Sequence, residues 1–235
     1  RARGYDGALT LVGDEPHRPY DRPPLSKQVL QGRWDPGQAF FRRKEGYEAL
    51  ALDLRLGVRA EAFDAAARRL TLSDGTSAQY DRVIIATGAR VRTLPGVAPR
   101  PGLFTLRGLD DALALRDALA HASGVAIVGA GFIGLEVAAS CRARGIAVTV
   151  VEAQAGVLSP VLGAAVTGEV AALHRDHGVD LRLDSAVTGV LGDGRVEGLA
   201  LSGGSRVDAD VVVVGIGVRP NTEWLEGSGL ILDNG

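Results

Sequence analysis

Six residues near the middle of the chain, Gly129-Ala130-Gly131-Phe132-Ile133-Gly134, have the types and spacing to hold a phosphate. An apolar run precedes them at 125–128, a helical stretch follows, and a second apolar run at 148–151 ends on Glu152. Strand, glycine turn, helix, strand and acid together make a dinucleotide-binding βαβ unit. In such a unit the first glycine permits the tight turn, the second lets backbone approach a pyrophosphate, and the third lets helix and strand pack closely. The helix N-terminus then attracts the phosphates. Glu152 follows Gly129 by 23 positions, near the ~20 expected of the ribose-binding acid. Its carboxylate accepts hydrogen bonds from ribose hydroxyls and repels a 2′-phosphate. Ala153-Gln154-Ala155-Gly156 offers no arginine to hold that phosphate, so NADH is favoured over NADPH.

The scaffold for such a site occurs twice. The chain opens Arg1-Ala2-Arg3-Gly4, then an apolar run at 9–12, then Asp14-Glu15, which is the second half of a βαβ unit without its glycine turn. A longer echo follows: Gly75 to Gly88 and Gly204 to Gly217 are each separated by 13 positions, and each interval holds a closing apolar run, 83–86 and 211–214. By analogy with Arg142, which lies 11 residues after Gly131, the first glycine turn would fall before Arg1. No methionine occurs, and the turn pair Asn234-Gly235 stands last, so both ends read as truncations. The expected fold class is α/β, with two Rossmann-like dinucleotide-binding domains, each carrying a small β-meander, the first incomplete. Their expected bounds are 1–106 and 107–226, with 227–235 starting a return to the first domain.

The remaining elements follow from local signals. Residues 9–12 read as a parallel strand buried on both faces. Pro23-Pro24 suits the start of a helix through Ser26, Lys27 and Leu30. Strands are expected at 54–60, 68–73 and 83–86, with Asp74-Gly75 as a hairpin turn. Residues 90–101 form a crossing punctuated by proline and glycine. Asp110-Asp111 opens a helix through Leu119, its adjacent acids facing the helix dipole. A further helix is expected at 164–174, and strands at 180–183, 186–191, 196–201 and 211–214.

Composition sets outer limits. An apolar content of 46% is ordinary for a globular protein, and no stretch approaches the roughly 18 continuous apolar residues of a membrane helix. Cys141 is the only cysteine, which excludes an internal disulfide and fits a reducing, cytoplasmic setting. Residues 1–106 hold 17 Lys and Arg against 12 Asp and Glu, while residues 107–235 hold 9 against 16. The basic half suits either an acidic partner or the phosphates of a cofactor. No nucleic-acid motif and no membrane segment is present. His174 and His177 are spaced i, i+3 without a clear third ligand and read as a surface pair, with no metal expected. Arg42-Arg43-Lys44 reads as a solvated face before a docking surface.

Several motifs then converge. Leu11-Val12-Gly13-Asp14-Glu15 followed by Pro19-Tyr20-Asp21-Arg22-Pro23-Pro24-Leu25-Ser26-Lys27 resembles the FAD-domain signature of NADH-dependent ferredoxin reductases, similar to putidaredoxin and rubredoxin reductases. Ala86-Thr87-Gly88, Leu106-Arg107-Gly108-Leu109-Asp110-Asp111-Ala112 and Gly215-Ile216-Gly217-Val218-Arg219-Pro220-Asn221 match the same family in the same order. The resemblance covers essentially the whole chain. It implies interleaved FAD and NAD domains, 1–106 being part of the former and 107–226 the latter. The family's C-terminal interface domain and later Gly-Asp flavin motif do not occur in this sequence.

The resemblance also implies roles. Asp14 or Glu15 would bind the FAD adenosine ribose, and Arg22 and Arg107 would sit near the flavin's phosphates or ring. Val58 would hold adenine through its backbone, and Ala86, Thr87 and Gly88, with Gly215, Ile216 and Gly217 in the later half, would line the cofactors. Lys27 would lie beside the flavin, and Glu136 would point toward the nicotinamide. Lysine is rare, with Lys27 and Lys44 against 24 arginines, and a cation near a reduced flavin stabilises its negative charge. A buried lysine is costly unless paired, and Glu136 is a candidate partner. Disulfide reductases of the wider superfamily carry a redox thiol pair where this chain has Pro24-Leu25-Ser26-Lys27, and Cys141 reads as packed and inert. The implied activity is hydride transfer from NADH to FAD, then single-electron transfer to a ferredoxin- or rubredoxin-type carrier. The alternatives are the flavin module of an NADH-dependent nitrite reductase, and a dinucleotide-binding protein resembling apoptosis-inducing factor.

Overall fold

The computed structural model describes residues 4–41, 44–159 and 161–233, and of Lys44 and Glu45 only the backbone. Arg1 to Arg3 of the repeat, the Arg42-Arg43 pair and the Asn234-Gly235 pair lie outside the described residues. The chain packs as two compact units. One comprises residues 1–21, 40–90 and 219–235, and the other 22–39 and 91–218.

In the first unit Thr10–Gly13 and Asp53–Leu56 run parallel, with Leu11 opposite Leu54. Ala60–Asp64, Arg69–Leu72 and Ser77–Gln79 form a three-stranded antiparallel meander. The expected turn at Asp74-Gly75 joins the last two. Asp74 Oδ1 accepts the Thr76 N–H at 2.9 Å and the Thr76 hydroxyl at 2.7 Å, a local bond that competes with strand pairing and favours a turn. Phe63 stacks on Tyr80 and meets Trp224 edge-on, tying the meander to residues near the end of the chain.

Three expectations fail in this unit. The strand expected at 9–12 is parallel but is not buried on both faces: Leu9 is exposed and Thr10–Gly13 is partly exposed, because its sheet has only two strands. The single strand expected at 54–60 is two strands in different sheets, because the chain turns at Gly57 and Val58, whose N–H groups donate to Glu15 O and Gly13 O. Residues 83–86 form no strand, and Ile84 is 91% exposed. β-branched composition suits a pleated surface but cannot make a strand without a neighbour to pair with.

In the second unit five parallel strands lie in the order Val179–Arg182, Ala147–Val151, Gly124–Val128, Val211–Val214, Leu103–Thr105. The expected βαβ unit, the helix at Ala164–Asp176 and the strand at Val211–Val214 are all present. Leu103–Thr105 was not foreseen: three residues carry no readable period. Gly124–Val128 and Val211–Val214, in the middle of the sheet, are buried almost throughout and carry only apolar side chains. Ala126, Val128, Val151, Val212 and Val214 pack with Val196, Leu199, Leu201 and Val207 of the region 196–207 in one buried cluster. Gly198–Leu201 is the central strand of an antiparallel meander whose outer strands are Val187–Leu191 and Arg206–Asp208. Among the described residues no helix is long and apolar enough to cross a membrane.

The segment 22–39 packs with this second unit, although sequence reading grouped it with residues 1–106. Val29 and Leu30 are fully buried, and Arg144 Nη1 donates to Leu30 O at 3.0 Å. The expected α-helix here is a π-helix over Leu25–Val29. Val29 N–H donates to Pro24 O at 3.0 Å, a span of five residues that widens the turn. Such wide turns are rare and recur at functional sites.

Candidate functional site

The glycine turn follows Gly124–Val128 and enters the helix Phe132–Ala143, with Gly131 as N-cap. Its three glycines are needed for different reasons. Gly129 has φ +100°, and a Cβ there would lie 2.5 Å from Gly215 O. A Cβ on Gly134 would lie well under 3.0 Å from Gly129 O, a separation that real Cβ atoms essentially never show. Gly131 differs: a Cβ there would approach nothing closer than Gly215 O at 3.9 Å. The protein's own packing thus demands the first and third glycines and leaves open space at the second, beside the N-terminus of a 12-residue helix. Phe132 is exposed and Ile133 half-buried at the start of that helix. The Gly215-Ile216-Gly217 run lies against the turn: Gly215 N–H donates to Val128 O at 2.7 Å, Ile216 packs on the core cluster, and Gly217 O accepts from Arg92.

Glu152 stands at the end of Ala147–Val151 and touches the turn directly. Its Oε2 accepts the Ala130 N–H at 2.8 Å and its Oε1 accepts the Gln154 N–H at 2.9 Å. The motif's spacing singled out this acid but not its bond to the turn, because spacing along the chain says nothing of side-chain direction.

A cavity of about 220 Å³ opens beside the same helix, walled in part by Arg22, Ser26, Lys27, Arg107, Ile133 and Glu136. Lys27 Nζ lies 2.7 Å from Glu136 Oε1, so the pairing expected from sequence is present. Each side chain is 37% exposed, which makes this a rim pair rather than a buried one, worth about 1 kcal/mol or less. Ser26 Oγ donates to Glu136 Oε2 at 2.5 Å, and Arg22 Nη1 donates to Arg107 O at 2.8 Å. Asp111 Oδ2 accepts the N–H groups of Arg107 and Gly108 at 2.8 and 3.0 Å, the capping role expected of a first-turn acid. Sequence reading missed Ser26 and Ser140 as site residues. Ser140 lies four positions after Glu136 and therefore on the same helix face, a signal that was available.

The first unit holds the other expected positions. Tyr20 donates its hydroxyl to the Glu15 carboxylate, and Asp14 Oδ2 lies 3.9 Å from Arg59 Nε. Val58 N–H donates to Gly13 O at 2.9 Å. Ala86 precedes Thr87, whose hydroxyl donates to Asn221 O at 2.7 Å, while Asn221 Nδ2 donates to Thr87 O at 3.0 Å and its N–H to Gly88 O at 2.9 Å. Arg90 pairs with Glu223 and holds that carboxyl down at about 2, from an ordinary 4.5. A depressed folded value means the pair stabilises the protein fully above about pH 4.5 and loses that contribution as pH falls toward 2. Replacing Glu223→Gln should therefore lower thermal stability slightly and evenly above about pH 5, with the two proteins converging on acidification. A difference that grew on acidification would contradict the pairing.

Cys141 is fully buried on the helix Phe132–Ala143, and burial pushes its thiol up to about 12. An aromatic disulfide reagent should label it only after denaturant is added; rapid labelling of the native protein would show the packing to be wrong. His174 lies on the Ala164–Asp176 helix, and burial, then the neighbouring His177, depresses its pKa. Among the described residues no group of three or more His, Cys, Asp or Glu is placed to hold a metal.

This architecture has known relatives. Rhodocoxin reductase of Rhodococcus erythropolis is 42% identical over 237 residues, covering 100% of this chain and 56% of that protein. The anthranilate 1,2-dioxygenase system ferredoxin–NAD(+) reductase component of Burkholderia cepacia is 40% identical over 239 residues, covering 100% of this chain and 58% of that protein. Among solved structures, the covalent putidaredoxin reductase–putidaredoxin complex aligns with a TM-score of 0.95 at 35% identity, covering 100% of this chain and 58% of that one. The chain spans little more than half the length of these relatives. The sequence pattern of the pyridine nucleotide-disulphide oxidoreductase family matches residues 1–235, and with the glycine turn, its acid and the parallel sheet in place, the chain belongs to that family.

Proposed function

We propose that the chain supplies the dinucleotide-binding region of an FAD-dependent NADH:ferredoxin-type reductase. The observation that carries this reading is the Lys27–Glu136 pair on the wall of a cavity beside the glycine-turn helix, in a chain whose one thiol is buried. A thiol relay has no residues here, so electrons leave toward an external carrier of ferredoxin or rubredoxin type. The reductase names of the relatives support the same reading.

The residues fit the two cofactors. For NAD, the open space at Gly131, the N-H groups of the turn and the Glu152 carboxylate suit a pyrophosphate and an unphosphorylated ribose. For FAD, Asp14 or Glu15 would accept from the adenosine ribose, the Val58 backbone would hold adenine, and Ala86, Thr87 and Gly88 would line the cofactor. In the second unit Arg22 and Arg107 offer cationic donors to phosphate or ring, and Lys27 lends positive charge. When bound, the nicotinamide supplies a hydride and the flavin converts that two-electron delivery into single-electron steps. Glu136 holds the Lys27 ammonium in place, and the apolar wall at Ile133 excludes water. On this reading 1–106 is FAD-binding and 107–226 NAD-binding, with 227–235 starting the return. The lone buried cysteine suits a cytoplasmic protein.

The test is NADH oxidation by the natural full-length protein against a panel of ferredoxins and rubredoxins. Carrier-dependent turnover with at least one of them is expected. Fast flavin reduction by NADH with no carrier accepted would sink this reading.

A further inference from the structure

Ser140 is fully buried, yet its hydroxyl sits in a hydrogen-bond chain whose direction can be assigned. Gln31 Nε2, which can only donate, lies 3.0 Å from Ser140 Oγ. Ser140 must then direct its own hydrogen to Ser26 O, a carbonyl that can only accept, at 2.6 Å. With its carbonyl so held, Ser26 directs its hydroxyl to Glu136 Oε2 at 2.5 Å, while Lys27 takes Oε1 at 2.7 Å. Both carboxylate oxygens are thus engaged by neighbouring residues of one π-turn, and that turn is anchored from behind by the helix that carries Glu136 itself.

We propose that Ser26, fixed by Ser140 and Gln31, is a positioning residue that orients Glu136 and thereby holds the Lys27 ammonium at the cavity wall. This rests on the functional reading above for its kinetic consequence but not for its structural one. In this role Ser26 and Ser140 act through Glu136.

Acetylation by an N-hydroxysuccinimide ester followed by peptide mapping reads Lys27 against Lys44, the two lysines of this sequence, in the same sample. In the full-length holoenzyme, Ser26→Ala and Ser140→Ala should each raise Lys27 labelling relative to Lys44 by about threefold or more, as expected when a hydrogen bond to a charged group is lost. Ser26→Thr, which keeps the hydroxyl, should stay near the parent. In stopped flow, Ser26→Ala should slow flavin reduction at saturating NADH by about tenfold while the half-saturating concentration moves less than twofold, the signature of lost orientation rather than lost binding. In a Glu136→Gln background the same Ser26→Ala change should have no further effect. Unchanged Lys27 labelling in Ser26→Ala, or fully additive losses with Glu136→Gln, would overturn the proposal. If the holoenzyme showed no reduction by NADH, the functional reading would fail while the labelling still decided the positioning chain.

Discussion

Gly134→Ala should fold but melt well below the parent protein, while Gly131→Ala should melt with the parent and bind dinucleotide poorly. The two glycines belong to one motif and lie three residues apart, yet only one is demanded by the protein's own atoms. A methyl at 134 must displace the Gly129 carbonyl, whose residue is held by the Gly129 N–H donating to Val151 O at 2.8 Å. Helix, strand and the 215–217 turn would all have to shift, and overpacking of this kind costs about 1–3 kcal/mol or more. Against a typical total of about 5–15 kcal/mol, and with the dinucleotide site at the point of strain, a drop of about 10 °C in melting temperature is expected. At 131 the backbone is extended and the nearest protein atom is 3.9 Å from an added methyl. Its stability should stay within about 0.5 kcal/mol of the parent, while NADH affinity falls at least about tenfold because the methyl occupies the phosphate's path. Thermal unfolding and NADH titration on the same preparations separate the two effects. Equal melting temperatures for both variants, or normal NADH affinity in Gly131→Ala, would refute the assignment.

Glu152→Ser should weaken NADH binding by about 10- to 100-fold, the loss expected of one charge-assisted hydrogen-bond acceptor pair. NADPH should be affected less, because the carboxylate that repels a 2′-phosphate is gone, so discrimination between the two nucleotides should narrow. The bond from Ala130 N–H to Glu152 Oε2 adds a second consequence. Without that acceptor the glycine turn loses a strut, and the variant should also unfold at a slightly lower temperature before any nucleotide is added. Titration with both nucleotides checks the first effect, and calorimetry of the unliganded protein checks the second. Unchanged selectivity would remove Glu152 from the ribose site, and unchanged stability would show the strut to be dispensable.

The repeat shows what an apolar run can and cannot decide. Residues 83–86 and 211–214 occupy matching positions and have similar composition. Val211–Val214 is completely buried between Gly124–Val128 and Leu103–Thr105, whereas residues 83–86 pair with nothing among the described residues and Ile84 is 91% exposed. β-propensity describes fitness for a sheet, and the sheet itself has to be supplied by neighbours. Glu152 makes a similar point on a smaller scale. Its distance along the chain from Gly129 identified it, but its contact with Ala130 follows from the two strands lying side by side.

What the amino-acid order determined by itself was local: the glycine turn, the apolar strands around it, the acid at the next strand end and the pair of acids in the first turn of the helix that follows Gly108. These depend on backbone sterics, on a period of two or 3.6, and on bonds between residues a few positions apart, all of which are written in short windows. Tertiary structure alone decided that a π-turn would present Ser26 and Lys27 together to Glu136, across 110 positions of chain. It also decided that the segment 22–39 would pack with the later unit. Each of those outcomes is the sum of many weak contacts at buried Val29, Leu30, Ser140 and Cys141, and no window of sequence contains that sum.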